Sequence, residues 1–287
     1  MICEKYILNE EHGSYLMRYT FEKDEVYLPH MLKRPAVVVC PGGGYNFCCS
    51  READPVAMQY MAQGYNSFVL EYATKEKAVF PNSLLDLCAA MKLIRENAEQ
   101  WGVLEDKIAV GGFSAGGHLA ASLGVYWNDP EILAKSGCKS EEIKPNALIL
   151  IYPVLSTSWM ENQKQLERII GQNDWDATYK KLNLQTAVTK ATPPAFLCHT
   201  VRDCAVPCKD SMKFATALLD AGVPCELHLF PNGDHGLALG KKHANPNGED
   251  ASFAQWVELS VNWLNRLFSN PDEANAPLIM AEYSSKF

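Results

Sequence analysis

No stretch of this chain approaches the ~18 consecutive apolar residues that a membrane-spanning helix needs, so no membrane partner is expected. Clusters of basic residues are missing too. Lys and Arg number 26 against 34 Asp and Glu, and the resulting net charge of −8 argues against a nucleic-acid partner. The opening residues, Met-Ile-Cys-Glu-Lys-Tyr, lack the basic region and apolar run of an export signal. That absence favours a cytoplasmic protein. Neither glycine pattern that cradles phosphates is present: no Gly-Lys-Ser/Thr follows a glycine-rich loop, and Gly-x-Gly-x-x-Gly does not occur. No cofactor is expected. Repeats, low-complexity tracts and linkers are also lacking, and residues 1–287 read as one domain.

The chain does have ample apolar material, with 47% hydrophobic and 21% charged residues, enough for a sizeable core. Of its ten cysteines, Cys40, Cys88, Cys198 and Cys225 fall inside apolar runs, where a free thiol behaves as a small hydrophobe. Adjacent Cys48 and Cys49 make an awkward start for a disulfide framework, so reduced thiols are expected.

Short apolar runs alternate with amphipathic segments. Strands are expected at 36–40, 67–72, 107–111, 147–152, 195–199 and 225–230, most of them hydrophobic throughout, as suits parallel strands buried on both faces. Leu84, Leu87, Cys88, Met91 and Ile94 recur at helical spacing, with Asn82 or Ser83 as cap. Met212, Ala215, Leu218 and Leu219 form a second stripe, closed by Gly222. A last long helix is expected from Phe253 to Phe268. The alternation implies an α/β fold, with a mostly parallel, doubly wound sheet. The first 30 residues read as antiparallel edge strands, clearest at Tyr15–Tyr19. Residues 156–192 are polar and partly helical, and are expected to form a small cap insertion; an ordinary connection is the alternative.

Gly112-Phe-Ser-Ala-Gly116 reads Gly-x-Ser-x-Gly between an apolar run and a small-residue helical segment. Strand, sharp turn and helix are the context of a nucleophile elbow, which lifts a serine oxygen above the sheet. A serine hydroxyl needs a base, and the base needs an orienting group. In this fold the acid and then the histidine follow the serine. Of seven histidines, His235 in the Gly-rich loop 231–236 fits best. Asp203, after the run ending at His199, is the expected acid; Asp234, adjacent to His235, ranks second. Pro41-Gly-Gly-Gly-Tyr45 follows the first central strand, and the N–H groups of Gly43, Gly44 and Ala115 are expected to form an oxyanion hole. Tyr45, Trp127, Trp159 and Trp175 are candidates for substrate contact. Cys198, His199, Cys204 and Cys208 cluster at a spacing that matches no zinc pattern, and no metal is expected. His118 reads as a packed or capping residue.

The pieces Pro41–Tyr45, Glu52 with Pro55-Val-Ala57, Gly112–Ala120, Thr192–Phe196, Asp203 with Val206-Pro207, Gly222-Val-Pro224 and Gly233–Gly236 together resemble α/β-hydrolase esterases of the hormone-sensitive-lipase-like and acetyl-xylan-esterase-like ("xylanase B-like") group. The resemblance spans roughly residues 36 to 265 and implies the α/β-hydrolase fold. It further implies Ser114 as nucleophile, His235 as base, Asp203 as orienting acid, and acetyl or other short acyl esters of sugars such as xylo-oligosaccharides as substrates. Pro41 stands where the lipase-type motif has histidine, which favours sugar esters over lipids. A small serine peptidase or lactonase on the same scaffold is an alternative, with Glu52 or Asp54 as anchor for a peptide amine. A catalytically silent hydrolase-fold binding protein is another. A homo-oligomer is allowed but not specified.

Overall fold

The structure is a computed structural model that describes residues 1–23, 25–26, 31–157, 163–245 and 248–269. The chain opens with β1 (Ile2–Asn9), β2 (Ser14–Thr20) and β3 (Arg34–Cys40). Then follow α1 (Asp54–Ala62), β4 (Asn66–Glu71), α2 (Asn82–Glu96), α3 (Ala98–Trp101) and β5 (Val103–Phe113). Next come α4 (Ala115–Tyr126), α5 (Pro130–Ser136), α6 (Ser140–Ile143) and β6 (Ala147–Ile151). The remainder is α7 (Gln163–Ile170), α8 (Trp175–Lys181), β7 (Ala195–Thr200), α9 (Cys208–Asp220), β8 (Cys225–Phe230) and α10 (Trp256–Ser269).

The eight strands form one sheet in the order β1-β2-β4-β3-β5-β6-β7-β8. β1 and β2 pair antiparallel at one edge, β2 pairs antiparallel with β4, and the other pairings are parallel. Side chains alternate along each strand, and in the central strands both faces are buried. On β3, Val38 and Cys40 join the core under α2, α4 and α9, whereas Val37 and Val39 face the core under α1 and α10. This two-sided burial is why the strands read as unbroken apolar runs. β4 lies on one side of β3 and β5 on the other, so the sheet's strand order reverses at β3. Crevices at the carboxyl ends of strands form at such switch points.

Several local expectations shift. α2 begins at Asn82, yet neither Asn82 nor Ser83 caps it: Asn82 Nδ2 donates to the Lys77 carbonyl and Ser83 Oγ to the Ala73 carbonyl. On α9 the buried stripe is Phe214, Ala215 and Leu218, while Met212 and Leu219 are exposed, so the inward face is rotated from the one expected. Gly222 does take the left-handed conformation just past that helix, at φ +73°. β5 runs over 11 residues and starts four earlier than expected, because Val103 pairs with Arg34. The stretch 156–192 carries α7 and α8. α7 packs on the segment before α2, with Phe80 N–H donating to the Ile169 carbonyl at 2.8 Å. The tail from Asn270 onward lies outside the described residues. None of the described helices is long and apolar enough to cross a membrane.

Candidate active site

The elbow is built by backbone crowding. Ser114 sits at φ +52°, between the last residue of β5 and the first of α4. A Cβ on Gly112 would lie 2.0 Å from the Gly116 carbonyl oxygen, and one on Gly116 would lie 2.1 Å from that of Cys40. Only hydrogen fits at these two positions, so the motif's glycines are required by the turn itself. The Ser114 carbonyl is held by His118 N–H at 3.1 Å and Val154 N–H at 3.0 Å. Register places Cys40 opposite Gly112, which brings the loop after β3 beside the elbow.

Two loops bring the partners. β7 ends at Thr200, and the turn after it carries Asp203; the loop after β8 carries His235. His235 Nδ1 lies 2.7 Å from Asp203 Oδ2, and His235 Nε2 lies 2.8 Å from Ser114 Oγ. An ionised carboxylate only accepts, so Nδ1 carries the proton and Nε2 is left to accept from the serine hydroxyl. The Asp203 side chain is 1% exposed and that of His235 is 21% exposed. Burial alone would raise the Asp203 carboxyl. Hydrogen bonds from His199, His235 and Val206 N–H, with the charge of His235, outweigh it and hold the group well below the usual carboxylate range.

Asp203 is also braced from behind. Its Oδ1 accepts from Ala205 N–H at 2.9 Å and Val206 N–H at 2.8 Å. Buried His199 approaches Oδ2 at 3.2 Å and the Val206 carbonyl at 3.1 Å, so its Nε2 is the donor, and its Nδ1 accepts from Ser211. Asp234, the second-ranked acid, instead accepts from Cys204 Sγ at 2.8 Å and from His235 N–H at 2.7 Å. It serves the loop backbone, not the ring.

Gly43 and Gly44 both take positive φ, at +128° and +61°. A Cβ on the preceding Gly42 would come 3.0 Å from Ser114 Cβ, so this loop lies directly over the serine. Ala115, as the first residue of α4, has no carbonyl four residues back within its own helix. Tyr45 is turned inward, its hydroxyl 2.9 Å from His118 Nδ1. Trp127 lies beyond the far end of α4, which at 12 residues is about 18 Å long. Its Nε1 donates to the Ala191 carbonyl, which takes it out of contact with Ser114. Trp175 opens α8 and is 42% exposed. Trp159 lies outside the described residues. A tryptophan's position along a helix cannot be referred to the site before the helix direction is known.

Glu52 and Asp54, weighed as anchors for a peptide amine, are both engaged. Buried Glu52 accepts Gly42 N–H at 2.8 Å and Tyr152 Oη–H at 2.7 Å, and Asp54 accepts Tyr19 Oη–H at 2.7 Å. Tyr152 and His199 are supporting residues to which sequence reading assigned no role, and Glu52 was weighed only as an anchor for a peptide amine.

His118, read as packed, is 1% exposed; its Nε2 donates to the Leu182 carbonyl at 3.1 Å. Burial lowers its pKa to about 4. The unfolded chain, with histidine near 6.5, binds the proton first. Stability is therefore lost as pH falls from 6.5 to about 4, by roughly 3 kcal/mol in total. Urea midpoints should drop over that window, and His118→Gln should flatten the dependence. An unchanged slope in the variant would show that other groups carry it.

A family model described as BD-FAE matches residues 25–218. Endo-1,4-beta-xylanase B of Butyrivibrio fibrisolvens is 33% identical over 237 residues, covering 77% of this chain and 36% of that protein. The acetylxylan esterase of Xylanibacter ruminicola is 28% identical, covering 75% of this chain and 43% of that protein. The chain thus spans less than half the length of either curated relative. Among solved structures, a carboxylesterase from Lactobacillus plantarum WCFS1 is 28% identical with TM-score 0.85, covering 93% of this chain and 98% of that one. An acetyl ester-xyloside bifunctional hydrolase from Caldicellulosiruptor lactoaceticus is 31% identical with TM-score 0.74, covering 89% and 88%. The sheet described above is therefore that of the α/β hydrolases.

Proposed function

We propose that this chain, which belongs to the BD-FAE family and shares the α/β-hydrolase fold of its esterase relatives, is a serine carboxylesterase that removes acetyl groups from sugars or short oligosaccharides. The observation that carries the reading is the continuous hydrogen-bonded line Ser114–His235–Asp203 beside the Gly42–Gly44 loop. Ser114 Oγ attacks the ester carbonyl while His235 Nε2 takes its proton; Asp203 holds Nδ1–H and stabilises the imidazolium that forms. The N–H groups of Gly43, Gly44 and Ala115 receive the oxyanion. Collapse of the tetrahedral intermediate breaks the bond to the sugar oxygen, which takes the proton from His235. Water, deprotonated by the same base, then attacks the acetyl-serine and releases acetate.

Acetyl esters of sugars are favoured because one relative is an acetylxylan esterase and one structural neighbour an acetyl ester-xyloside hydrolase. The same reading treats residues 1–287 as one domain with 156–192 as its cap. A peptidase is disfavoured, since both Glu52 oxygens already accept hydrogen bonds inside the protein. The test is acetate release from acetylated xylo-oligosaccharides beside nitrophenyl acetate and aminoacyl nitroanilides. Release from the oligosaccharides at a kcat/KM at least equal to that for nitrophenyl acetate is expected. Turnover confined to nitroanilides would overturn the assignment.

A further inference from the structure

The loop beside Ser114 is pinned through a buried carboxylate that the mechanism above does not use. Glu52 is 3% exposed, and both of its oxygens are committed: Oε2 accepts Gly42 N–H and Oε1 accepts Tyr152 Oη–H. The Tyr152 oxygen accepts in turn from Ala238 N–H at 2.9 Å, three residues beyond His235. The Tyr152 ring also meets the His235 imidazole edge-on, with centroids 5.1 Å apart. A single chain of hydrogen bonds thus runs from the loop after β3, through Glu52 and Tyr152, to the loop that bears the base.

Resting on the serine-esterase reading, we infer that Glu52 and Tyr152 are positioning residues that hold the Gly43 N–H in line with the developing oxyanion and fix the His235 loop relative to it.

The geometry of the loop explains how. The Pro41–Gly42 peptide is tied at both ends, its carbonyl accepting Tyr72 Oη–H at 2.6 Å and its N–H donating to Glu52. The next peptide is tied through its carbonyl, with Cys49 N–H donating to Gly42 O at 2.9 Å. In a trans peptide the N–H points opposite to the C=O. Fixing the Gly42 carbonyl toward Cys49 therefore fixes the Gly43 N–H away from it. Three consecutive glycines have no side chains to hold these planes, and glycine backbones turn easily. The order must come from outside, and Glu52 supplies the contact nearest Ser114: a Cβ on Gly42 would meet Glu52 Oε2 at 2.6 Å and Ser114 Cβ at 3.0 Å. Burial raises the Glu52 pKa, opposed by the bonds from Tyr152 and Gly42.

Glu52→Gln tests this with little change of volume. An amide offers one acceptor, so if that oxygen keeps the Gly42 N–H, the NH2 must donate to the Tyr152 oxygen, which reverses that bond and leaves the Tyr152 O–H without its acceptor. With nitrophenyl acetate, kcat is expected to fall about 10- to 100-fold with KM within threefold, less than the 10²–10³-fold of losing a hole donor outright. The second-order rate of labelling by a fluorophosphonate should fall in parallel, because the phosphonyl oxygen uses the same donors. Tyr152→Phe should lower kcat in the same direction, and the double variant should be no worse than the poorer single one, as expected for one connected unit. A purely structural role would lower Tm in each variant yet leave kcat per folded molecule and the labelling rate within threefold of the parent. That result would overturn the inference. If Glu52→Gln does not fold, Tyr152→Phe decides alone by the same kcat and labelling criteria. Ser114→Ala runs beside them: retained turnover there would sink the serine reading itself, whereas an inactive Ser114→Ala with unaffected strut variants would sink only the role given to Glu52 and Tyr152.

Discussion

Ser114→Ala is expected to lower kcat for ester hydrolysis by about 10⁴- to 10⁶-fold, with the folded state intact and KM little changed. The serine is 5% exposed and its hydroxyl makes one bond of consequence, to His235 Nε2. Removing it deletes the attacking atom and leaves the rest of the machinery in place. Residual rate would come from the N–H groups of the loop and elbow acting on water held by His235. The loss should appear equally in kcat and kcat/KM, since the bond to carbon forms only on the way to the transition state. Steady-state turnover of nitrophenyl acetate by both proteins, with thermal unfolding as control, checks it. A variant within tenfold of the parent would mean that another nucleophile or an activated water does the chemistry.

Gly116→Ala should be strongly destabilising for the addition of a single methyl group. The added carbon would sit 2.1 Å from the Cys40 oxygen and 2.3 Å from the Pro41 oxygen, both of them backbone atoms. Neither can move without displacing the end of β3 or the start of α4, and the loop over Ser114 follows directly from Pro41. Overpacking of this kind costs about 3 kcal/mol or more when the obstacle is backbone. For a chain of this size, that corresponds to a Tm lowered by roughly 6–12 °C. Activity per folded molecule should drop as well, because the elbow and the loop are pushed apart. Gly222→Ala is the control: φ there is +73° but no atom lies within 4 Å of the new carbon, so only the left-handed backbone penalty of about 1 kcal/mol applies. Equal losses at Gly116 and Gly222 would show that conformation, not crowding, explains the motif's glycine.

The central strands were legible because parallel strands covered on both faces have no polar positions. Ala147–Ile151 is buried at every residue and reads as a bare apolar run. Ser114, Asp203 and His235 were legible for a different reason: each ends a strand or follows one closely, and chain order alone restricts the partners. Helix faces were harder. Met212 and Leu219 match a helical stripe in sequence but lie 46% and 41% exposed, since the inward direction of α9 is set by Phe214 and Leu218 against β7 and β8. Least legible was the support around the site. Glu52 and Tyr152 are 100 residues apart, and His199 shows its purpose only when β7 turns its imidazole toward Asp203 and Ser211. Contacts of such separation leave no periodicity to read. Tyr45 shows the same kind of long-range contact, its hydroxyl meeting His118 Nδ1, 73 residues further along the chain.

The most direct test of the serine mechanism is to quench the protein with acid during turnover of an acetyl ester and locate the acyl group by peptide mass spectrometry. A mass gain of one acetyl group on the peptide containing Ser114, present in the parent during turnover and absent from Ser114→Ala, is the expected result. Full turnover with no acetylated Ser114 peptide at any quench time, or with the acetyl group on another side chain, would contradict it.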